Sequence, residues 1–380
     1  MEKKKNYQIA VLGSSNKGNY GHHLDIAFQG FKNAQITAIG DENKEGLIQK
    51  GRELKCINLY TNFEELYSKH EIDITCVCPG WVTDRVTMIK TAANHGSNIY
   101  CEKPLAGTLV EVDQIVETCE RNNVRLAMAH QWRAMPAIET TIENLKLGKF
   151  GRVLRVTARP KDDSRGGGEE FLLHGSHLFD IMIEILGKPC WVSSSITKNG
   201  KNAQYEDKTT GTQPVGPILG DTIYAIIGFG EGTLGLFIST ANLVGEKNPR
   251  LDGLGVYGLT IETEQKVILM REPGEVYMYP LPTILPDYDD ICWERELVQP
   301  WHSEEGKSIK ELKENNLWIK HGNKILANDL MESIEKEYEP RSTLHKVKYI
   351  NEIVQGAYWS HLANGKRITI PLTNRNHPLF

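Results

Sequence analysis

The 380-residue sequence lacks any apolar run of the roughly 20 residues that a membrane-spanning helix requires. Residues 1–6 are charged and lead directly into the apolar segment 9–12, so the long hydrophobic core of a secretory signal is not expected at this end. We therefore predict a cytoplasmic protein without a membrane partner.

Excess basic charge is also missing. The 44 lysines and arginines are outnumbered by 49 aspartates and glutamates, which gives a formal net charge of −5. Such a chain has no general positive field for a phosphate backbone, so nucleic acid is not an expected partner. With 40% hydrophobic and 24% charged residues the composition is that of a globular protein, and a small molecule is the expected ligand.

Cysteines are few, and their number is odd, at seven. Cys76, Cys78 and Cys101 lie in apolar, strand-like segments, which indicates buried thiols in a reducing compartment. Cys76 and Cys78 have the spacing of side chains on one face of a strand, and no second pair completes a zinc-binding pattern. We predict no metal.

The first part of the chain alternates short apolar runs with amphipathic stretches, a pattern typical of a parallel sheet with crossover helices. The predicted strands are 8–13, 35–41, 72–78, 97–101 and 125–129, and the predicted helices are 44–53, 62–68 and 83–95. The prediction is a doubly wound α/β domain, a Rossmann fold, over residues 1–129.

After about residue 150 the rhythm changes to alternating or β-branched runs joined by turns, with a hairpin signal at residues 230–232. The predicted strands are 152–159, 191–198, 222–228, 233–241, 255–262, 266–271 and 368–372, with helices at 172–186, 325–337 and 344–362. Residues 130–380 are thus predicted to form an α+β domain with a predominantly antiparallel sheet, and the stretch 280–316 stays unassigned.

A glycine-containing loop follows the first predicted strand. Gly13 can serve as the first glycine of a dinucleotide fingerprint and Gly18 and Gly21 as the last two, with extra residues, including Ser15 and Tyr20, in and after the gap. A helix is expected directly after the loop, where its N-terminus would face a pyrophosphate. An ordinary βα loop is the alternative.

An acid stands where a ribose contact is expected. Asp41 ends the second strand about 20 residues after Gly21, the position from which a carboxylate binds ribose hydroxyls. Together with Glu42 it would repel a 2′-phosphate, and Lys44 alone offsets the two charges, so NAD is favoured over NADP. A solvated turn is the alternative.

Two further segments directly follow predicted strands, at the carboxyl edge of the predicted sheet. The turn that follows Cys78 contains Pro79 and Trp81, and Glu102, Lys103 and Pro104 follow the next strand. Ligands of open α/β sheets bind at the carboxyl ends of the strands, so a lysine at this position faces the expected crevice. A surface lysine is the alternative.

These motifs, taken in order, resemble the Gfo/Idh/MocA oxidoreductases, which include glucose–fructose oxidoreductase and inositol dehydrogenases. The resemblance covers nearly the whole chain, through the glycine loop, Asp41, 78–80, 102–104, 131–136, 148–151, 166–168, Gly175-x-His177-x-x-Asp180 and 365–372. It implies an NAD-dependent enzyme with a Rossmann domain and a C-terminal sheet domain. It also implies a sugar, glycoside or cyclitol whose secondary hydroxyl is oxidised, and a homo-oligomer, a dimer or tetramer, formed through the sheet face.

The resemblance implies Lys103 and His177 as catalytic residues beside the reacting carbon. One position departs from the family pattern, because Leu173 stands where relatives carry an aspartate, and Asp180, Glu169 or Glu170 are the candidates to orient the imidazole. An ordinary imidazole titrates near pH 6.5 and an ordinary lysine near 10.4, so we expect His177 to be the base and Lys103 to hold the substrate oxygen.

Four further residues are predicted to contact substrate, namely Trp132, Arg133, His174 and Asp180. His174, His177 and Asp180 also have the spacing of metal ligands on one helical face, which leaves a metal site as an alternative. Two other functions stay open: cleavage of a glycoside through transient NAD-dependent oxidation, and a non-catalytic NAD-binding regulator.

Overall fold

The computed structural model describes residues 5–242, 257–271, 274–280, 294–295 and 317–380. These residues form two compact units. The first contains the described chain up to Gln131 together with residues 317–347, and the second contains the described residues from Trp132 to 295 together with 348–380.

The first unit is built on a six-stranded parallel sheet in the order β3-β2-β1-β4-β5-β6. Its strands are β1 (Tyr7–Leu12), β2 (Ala34–Gly40), β3 (Leu59–Tyr60), β4 (Ile74–Val77), β5 (Asn98–Cys101) and β6 (Leu126–Met128). All four residues of β4 are buried, as expected of a central parallel strand that is covered on both faces. The predicted Rossmann topology is confirmed.

Four helices connect these strands, α1 (Lys44–Leu54), α2 (Phe63–Lys69), α3 (Arg85–Asn94) and α4 (Leu109–Arg121). Their start points follow from capping chemistry. The side chains of Asn43 and Asn62 accept hydrogen bonds from the backbone N–H three residues on, and Thr108 forms a capping box with Glu111.

The second unit contains a ten-stranded sheet in which β17-β16-β15-β14-β7-β13-β12-β8-β18 are consecutive neighbours and β9 also pairs with β8. A separate two-stranded pair joins β10 and β11. The strands are β7 (Val153–Arg159), β8 (Trp191–Lys198), β9 (Lys201–Asn202), β10 (Thr209–Thr210), β11 (Pro217–Ile218), β12 (Thr222–Gly228), β13 (Leu234–Thr240), β14 (Gly258–Thr263), β15 (Lys266–Arg271), β16 (Glu275–Pro280), β17 (Glu294–Arg295) and β18 (Ile368–Thr369).

Pairing in the large sheet is antiparallel except between β7 and β13, which confirms a predominantly antiparallel domain. The predicted hairpin joins β12 to β13 through a single 3₁₀ turn at Gly230–Gly232. Alternate residues of β13 are buried, which is the period of a sheet with one covered face.

The helices of the second unit are α5 (Pro136–Lys146), α6 (Gly168–Leu173) and α7 (Gly175–Leu186). The single helix predicted over 172–186 is therefore wrong at its start, because the helical segment begins earlier and breaks at His174. Apolar residues continue through the break, so hydrophobic spacing does not reveal it. Gly187, with a φ of 81°, ends α7 as predicted.

Helix α8 (Leu317–Lys336) belongs to the first unit, and α9 (Leu344–Leu362) begins there and ends in the second. The Tyr7 hydroxyl donates to the Met331 carbonyl at 3.0 Å, which joins β1 to α8. The structure thus returns 317–347 to the first unit, whereas the predicted division assigned everything after residue 129 to the second.

Candidate functional site

The glycine loop lies at the point where the strand order of the first unit reverses, between β1 and β4. The Gly80 amide donates to the Gly18 carbonyl at 2.9 Å, which joins the loop to the turn after β4. Gly18 has a φ of +89°, and a Cβ there would lie 2.4 Å from the Trp81 nitrogen. Gly21 has a φ of +61°, and a Cβ there would lie 2.4 Å from the Cys78 carbonyl oxygen. Only glycine fits at either position.

This loop offers free backbone amides to a dinucleotide pyrophosphate, but it is not followed by the expected helix. Among the described residues, the backbone N–H groups of Gly18 and Tyr20 have no hydrogen-bond partner, and free amides are what a phosphate oxygen requires. The helix predicted after the loop is wrong, since only a three-residue 3₁₀ helix, Leu24–Ile26, follows. Positive φ angles at Asn16, Asn19 and His23 keep the backbone irregular.

Asp41 is almost completely buried and already holds several donors. Its carboxylate accepts hydrogen bonds from the Ser15 amide at 3.0 Å, the Ser15 hydroxyl at 2.7 Å, the Tyr20 hydroxyl at 3.0 Å and the Asn43 amide at 2.9 Å. Ser15 and Tyr20 are both predicted cofactor residues. In the structure they donate hydrogen bonds to the Asp41 carboxylate, the group that was expected to bind ribose hydroxyls.

Tyr20 is held from three sides. A Cβ on Gly13 would lie 2.2 Å from the tyrosine ring, so the ring packs directly on that glycine. The Lys50 ammonium lies 4.5 Å from the ring centroid, a cation–π contact, while the hydroxyl binds Asp41. Burial, followed by the charge of Asp41, raises the pKa of Tyr20 well above its ordinary value, so the hydroxyl stays a donor.

Glu102 connects the end of β5 to the glycine loop. Its fully buried carboxylate lies 3.0 Å from the His22 Nδ1. Burial acts to raise the pKa of Glu102, but His22, Lys103 and Arg85 together lower it below its ordinary value. Lys103 follows directly at the same edge of the sheet. The buried Arg85 donates from Nη2 to the Pro79 carbonyl at 2.5 Å and so fixes the turn after β4.

Sequence reasoning missed Asn323, a fully buried residue of α8. Its Oδ1 accepts from the Tyr100 hydroxyl at 2.7 Å and from the Gln131 amide at 2.9 Å, and its Nδ2 donates to the His22 carbonyl at 2.7 Å. A distant helix thereby supports the glycine loop. No motif marks this residue, because its partners lie up to 301 positions away.

In the second unit, His174 occupies the break between α6 and α7, and His177 lies in the first turn of α7. Their ring centroids are 6.2 Å apart. Glu170 Oε2 lies 2.6 Å from His174 Nδ1, so this carboxylate orients His174. Glu169 acts elsewhere, since it binds the backbone amides of Thr212 and Gln213.

Arg133 and Asp180, both predicted substrate residues, lie in one buried ionic cluster. Arg133 Nη1 is 2.9 Å from Glu184 and 3.7 Å from Asp180. Lys146 also pairs with Glu184. The cluster ties α5 and α7 together, so these two side chains carry packing and charge-balancing duties beside any contact with a ligand.

Tyr257 was not predicted, yet it links several predicted residues. The Trp132 ring meets it edge to face at 5.9 Å between centroids, and the His174 ring does so at 5.7 Å. The Lys161 ammonium lies 5.8 Å from the Tyr257 centroid. The fully buried Trp132 and the partly exposed Tyr257 therefore form an aromatic wall beside His174.

Lys103 belongs to the first unit and His177 to the second, so the pairing of the two remains a prediction. Within the parts of the chain that are described, no group of three or more histidine, cysteine, aspartate or glutamate side chains is arranged to hold a metal ion. In the same parts, no helix has both the length and the apolar character to cross a bilayer. The unassigned stretch 280–316 lies outside the described residues except for 280 and 294–295.

Residues 7–130 match the family model described as "Oxidoreductase family, NAD-binding Rossmann fold", named GFO_IDH_MocA. This match and the two sheets confirm the resemblance and the predicted fold. The structure is also similar to levoglucosan dehydrogenase solved with NADH and levoglucosan, with a TM-score of 0.73 and 15% identity over 97% of this chain and all of that one.

Two curated relatives illustrate the range of names. A myo-inositol 2-dehydrogenase of Thermotoga maritima is 26% identical over 70% of this chain and 79% of its own length. A 2,7-anhydro-N-acetylneuraminate hydratase of Mediterraneibacter gnavus is 25% identical over 58% of this chain. The chain spans 61% of that relative's length, which is less than two thirds.

Proposed function

We propose, from the premise that this chain carries the NAD-binding domain of the Gfo/Idh/MocA oxidoreductases, that it transfers a hydride between NAD and a secondary carbinol or keto carbon of a sugar, glycoside or cyclitol. The observation that carries the proposal is the glycine loop at the strand-order reversal, where Gly18 and Gly21 admit no side chain. The names of the inositol and levoglucosan dehydrogenases support this substrate class.

The cofactor would be held by the glycine loop and by Asp41. The free amides of Gly18 and Tyr20 suit the pyrophosphate, and the Asp41 carboxylate suits a ribose once the Tyr20 hydroxyl gives way. NAD supplies the hydride acceptor. The exposed Glu42 beside Asp41 disfavours the extra phosphate of NADP.

Lys103 and His177 are proposed to contact the reacting hydroxyl. The Lys103 ammonium holds the oxygen as it gains carbonyl character, and the His177 imidazole is a second hydrogen-bonding group beside that oxygen. The substrate would lie along the wall formed by Trp132, Tyr257 and His174, because aromatic rings pack against the C–H faces of sugars while the imidazole binds hydroxyls.

The test is a panel of sugars, cyclitols and glycosides incubated with the protein and NAD⁺, with NADH formation followed by absorbance. For a substrate found in this way, His177→Ala and Lys103→Met are each expected to lower kcat by roughly 10²–10⁴-fold while the Kd for NAD⁺ changes little. Both changes remove a group at the reacting carbon and leave the glycine loop intact.

Matched controls are His345→Ala and Lys149→Met, which alter half-exposed or exposed side chains away from both sets of site residues. Their kcat should stay close to the wild-type value. Near-normal turnover in both His177→Ala and Lys103→Met would refute the assigned roles, and a panel with no NADH formation at all would refute the dehydrogenase itself.

A second candidate is an enzyme that uses NAD⁺ transiently and returns it, cleaving a glycoside or a related ring bond between an oxidation and a re-reduction. It is favoured by the hydratase name of one relative. Aglycone release without net NADH separates this candidate from a dehydrogenase.

We further propose a homo-oligomer that forms through the outer face of the large sheet. Tyr224 is 51% exposed and Ile226 is 41% exposed, both on β12, and Leu234 of the neighbouring β13 is also exposed. A sheet face with this apolar content is typical of an interface between subunits. Light scattering is expected to give a dimer or tetramer that Tyr224→Lys dissociates, whereas a wild-type monomer would disprove the interface.

A cytoplasmic location is proposed on the thiols. Cys56, Cys76, Cys78, Cys101 and Cys119 are buried and free of disulfides, as in a reducing compartment. Fractionation of the source cells tests this, and recovery outside the cytoplasm would contradict it.

A further inference from the structure

His174 is held by a carboxylate that contacts it through one oxygen and is ion-paired to Arg165 through the other, which has no hydrogen bond among the described residues. Glu170 Oε2 is 2.6 Å from His174 Nδ1, and Arg165 Nη2 is 3.0 Å from Glu170 Oε1. The Glu170 side chain is fully buried, while His174 keeps 15% of its surface exposed. Arg165 is braced in turn by Asp163 at 3.0 Å. The four side chains form one chain of charge-assisted contacts.

A carboxylate at Nδ1 determines which ring nitrogen carries the proton of a neutral imidazole. The proton lies on Nδ1, between the ring and Glu170, and Nε2 is left as an acceptor. Among the described residues nothing hydrogen-bonds to Nε2 of His174. This is the arrangement required of a base that takes a proton from a bound hydroxyl.

Glu170 stays ionised in this environment. Burial acts to raise the pKa of Glu170, but the hydrogen bond and charge of His174 and the charge of Arg165 outweigh it and lower the pKa below the ordinary value. An ionised carboxylate stabilises the imidazolium that forms when His174 accepts a proton.

Two more observations favour His174 over its neighbour. The aspartate of the family pattern is replaced here by Leu173, a buried apolar residue, so the carboxylate must come from another position. Among the described residues, the charged and titratable groups in contact with His174 are Glu170, His177 and Tyr257, with Arg165 behind Glu170 and Lys161 behind Tyr257. Of these groups, only Glu170 lies within hydrogen-bond distance of the His174 ring.

We propose that His174 is the residue that takes the proton of the substrate hydroxyl, with Glu170 as its positioning residue and His177 holding the oxygen. The inference rests on the proposed function and replaces the expected role of His177 as base. In the oxidation, the carbinol C–H and O–H bonds break and the C=O bond forms. The hydride, with its electron pair, passes to the nicotinamide of NAD⁺, and the proton passes to Nε2 of His174.

The test compares pH profiles of kcat/KM for wild type, His174→Gln, His177→Gln and Glu170→Gln. Wild type should lose activity at acidic pH, where the base is protonated. We expect His174→Gln to lower kcat by roughly 10²–10⁴-fold and to abolish this acidic limb, while His177→Gln lowers kcat but retains the limb. Glu170→Gln should move the limb to lower pH, because the imidazolium loses its counter-charge.

Glu169→Gln is the matched control, since it neutralises the adjacent buried carboxylate that binds the 212–213 backbone and leaves His174 untouched. Its acidic limb should stay in place. Loss of the limb in His177→Gln with its retention in His174→Gln would overturn the proposal, and would leave the dehydrogenase standing.

A second measurement works without turnover. The ¹⁵N spectrum of histidine-labelled protein, assigned by the signal missing in His174→Gln, should show the Nδ1–H tautomer at His174 of the wild-type protein. An Nε2–H tautomer in wild type would refute the Glu170–His174 arrangement whatever the substrate panel gives. If no substrate is oxidised, the proposed function fails first and the assigned proton transfer fails with it.

Discussion

At the scale of single residues, the proposed cofactor site depends on Asp41 and on the donors that its carboxylate already holds. Its position at the end of β2 is predictable from the distance to the glycine loop, and that prediction is met. Its hydrogen bonds are not predictable, because they come from Ser15 and Tyr20 in an irregular loop with no periodicity. The structure therefore shows the Tyr20 hydroxyl in contact with the acid.

Replacing Tyr20 by Phe tests whether its hydroxyl competes with the ribose. The variant keeps the ring over Gly13 but frees one acceptor position on Asp41. Because hydrogen bonds to a charged group contribute about 1.5–3 kcal/mol, we expect NAD⁺ to bind roughly tenfold or more tightly in calorimetry. Tyr67→Phe, which removes a buried hydroxyl bound to Thr75, is the control. Unchanged or weaker binding in Tyr20→Phe would show that the ribose does not displace the hydroxyl.

His377 gives a pH dependence of stability. Burial lowers its pKa to about 4 from an ordinary 6.5, and its Nδ1 accepts the Leu379 amide. Between these values the unfolded chain binds a proton that the folded chain does not, so stability falls as pH drops from 6.5 to about 4. The loss is on the order of 3 kcal/mol at its full extent.

His377→Gln should flatten this part of the stability curve, measured as Tm against pH by scanning calorimetry. The half-exposed His345→Gln serves as the comparison and should follow wild type. A slope in His377→Gln equal to that of wild type between the two pH values would contradict a buried neutral imidazole.

At the scale of elements, strands and long helices follow from periodicity, and irregular segments do not. The predicted strand 191–198 and helix 344–362 are found with the same bounds. The helix after the glycine loop and the unbroken helix over 172–186 are wrong, since left-handed residues such as Asn19 and His23 and the break at His174 leave no mark on hydrophobic spacing. Both wrong helix predictions concern candidate site segments, the glycine loop and the segment around His174.

Helix α8 supplies the element-scale prediction. Asn323→Ala removes the acceptor of Tyr100 and Gln131 and the donor to His22, all within a buried network. Leaving such groups unpaired should lower the free energy of unfolding by roughly 2–4 kcal/mol and weaken NAD⁺ binding through the loop.

Asn328→Ala is the control on the same helix, because in the described part of the chain the Asn328 side chain bonds only to Glu332, one turn away. Urea unfolding followed by circular dichroism measures both variants. Equal midpoints for the two would show that the Asn323 network does not support the first unit.

At the scale of the whole molecule, the fold class was predictable from the sequence. Of the division into units, the boundary near residue 130 was predictable and the assignment of 317–347 to the first unit was not. Alternating strands and helices followed by turn-joined strands define the two sheets. The return of 317–347 to the first unit depends on pairs such as Tyr100 and Asn323, which are 223 positions apart. Local pattern carries no record of contacts at such separation. For the same reason Tyr257, whose partners lie near 132 and 174, was not foreseen.

The central claim is that the first unit binds NAD through its glycine loop. Calorimetric titration of the full chain with NAD⁺ and NADP⁺, beside Gly21→Val, tests it most directly. We predict one NAD⁺ per chain, NADP⁺ weaker by roughly tenfold or more because of the Asp41 and Glu42 charges, and no binding by Gly21→Val, whose side chain would strike the Cys78 carbonyl. Absence of NAD⁺ binding by the wild-type chain, or undiminished binding by Gly21→Val, would contradict the account.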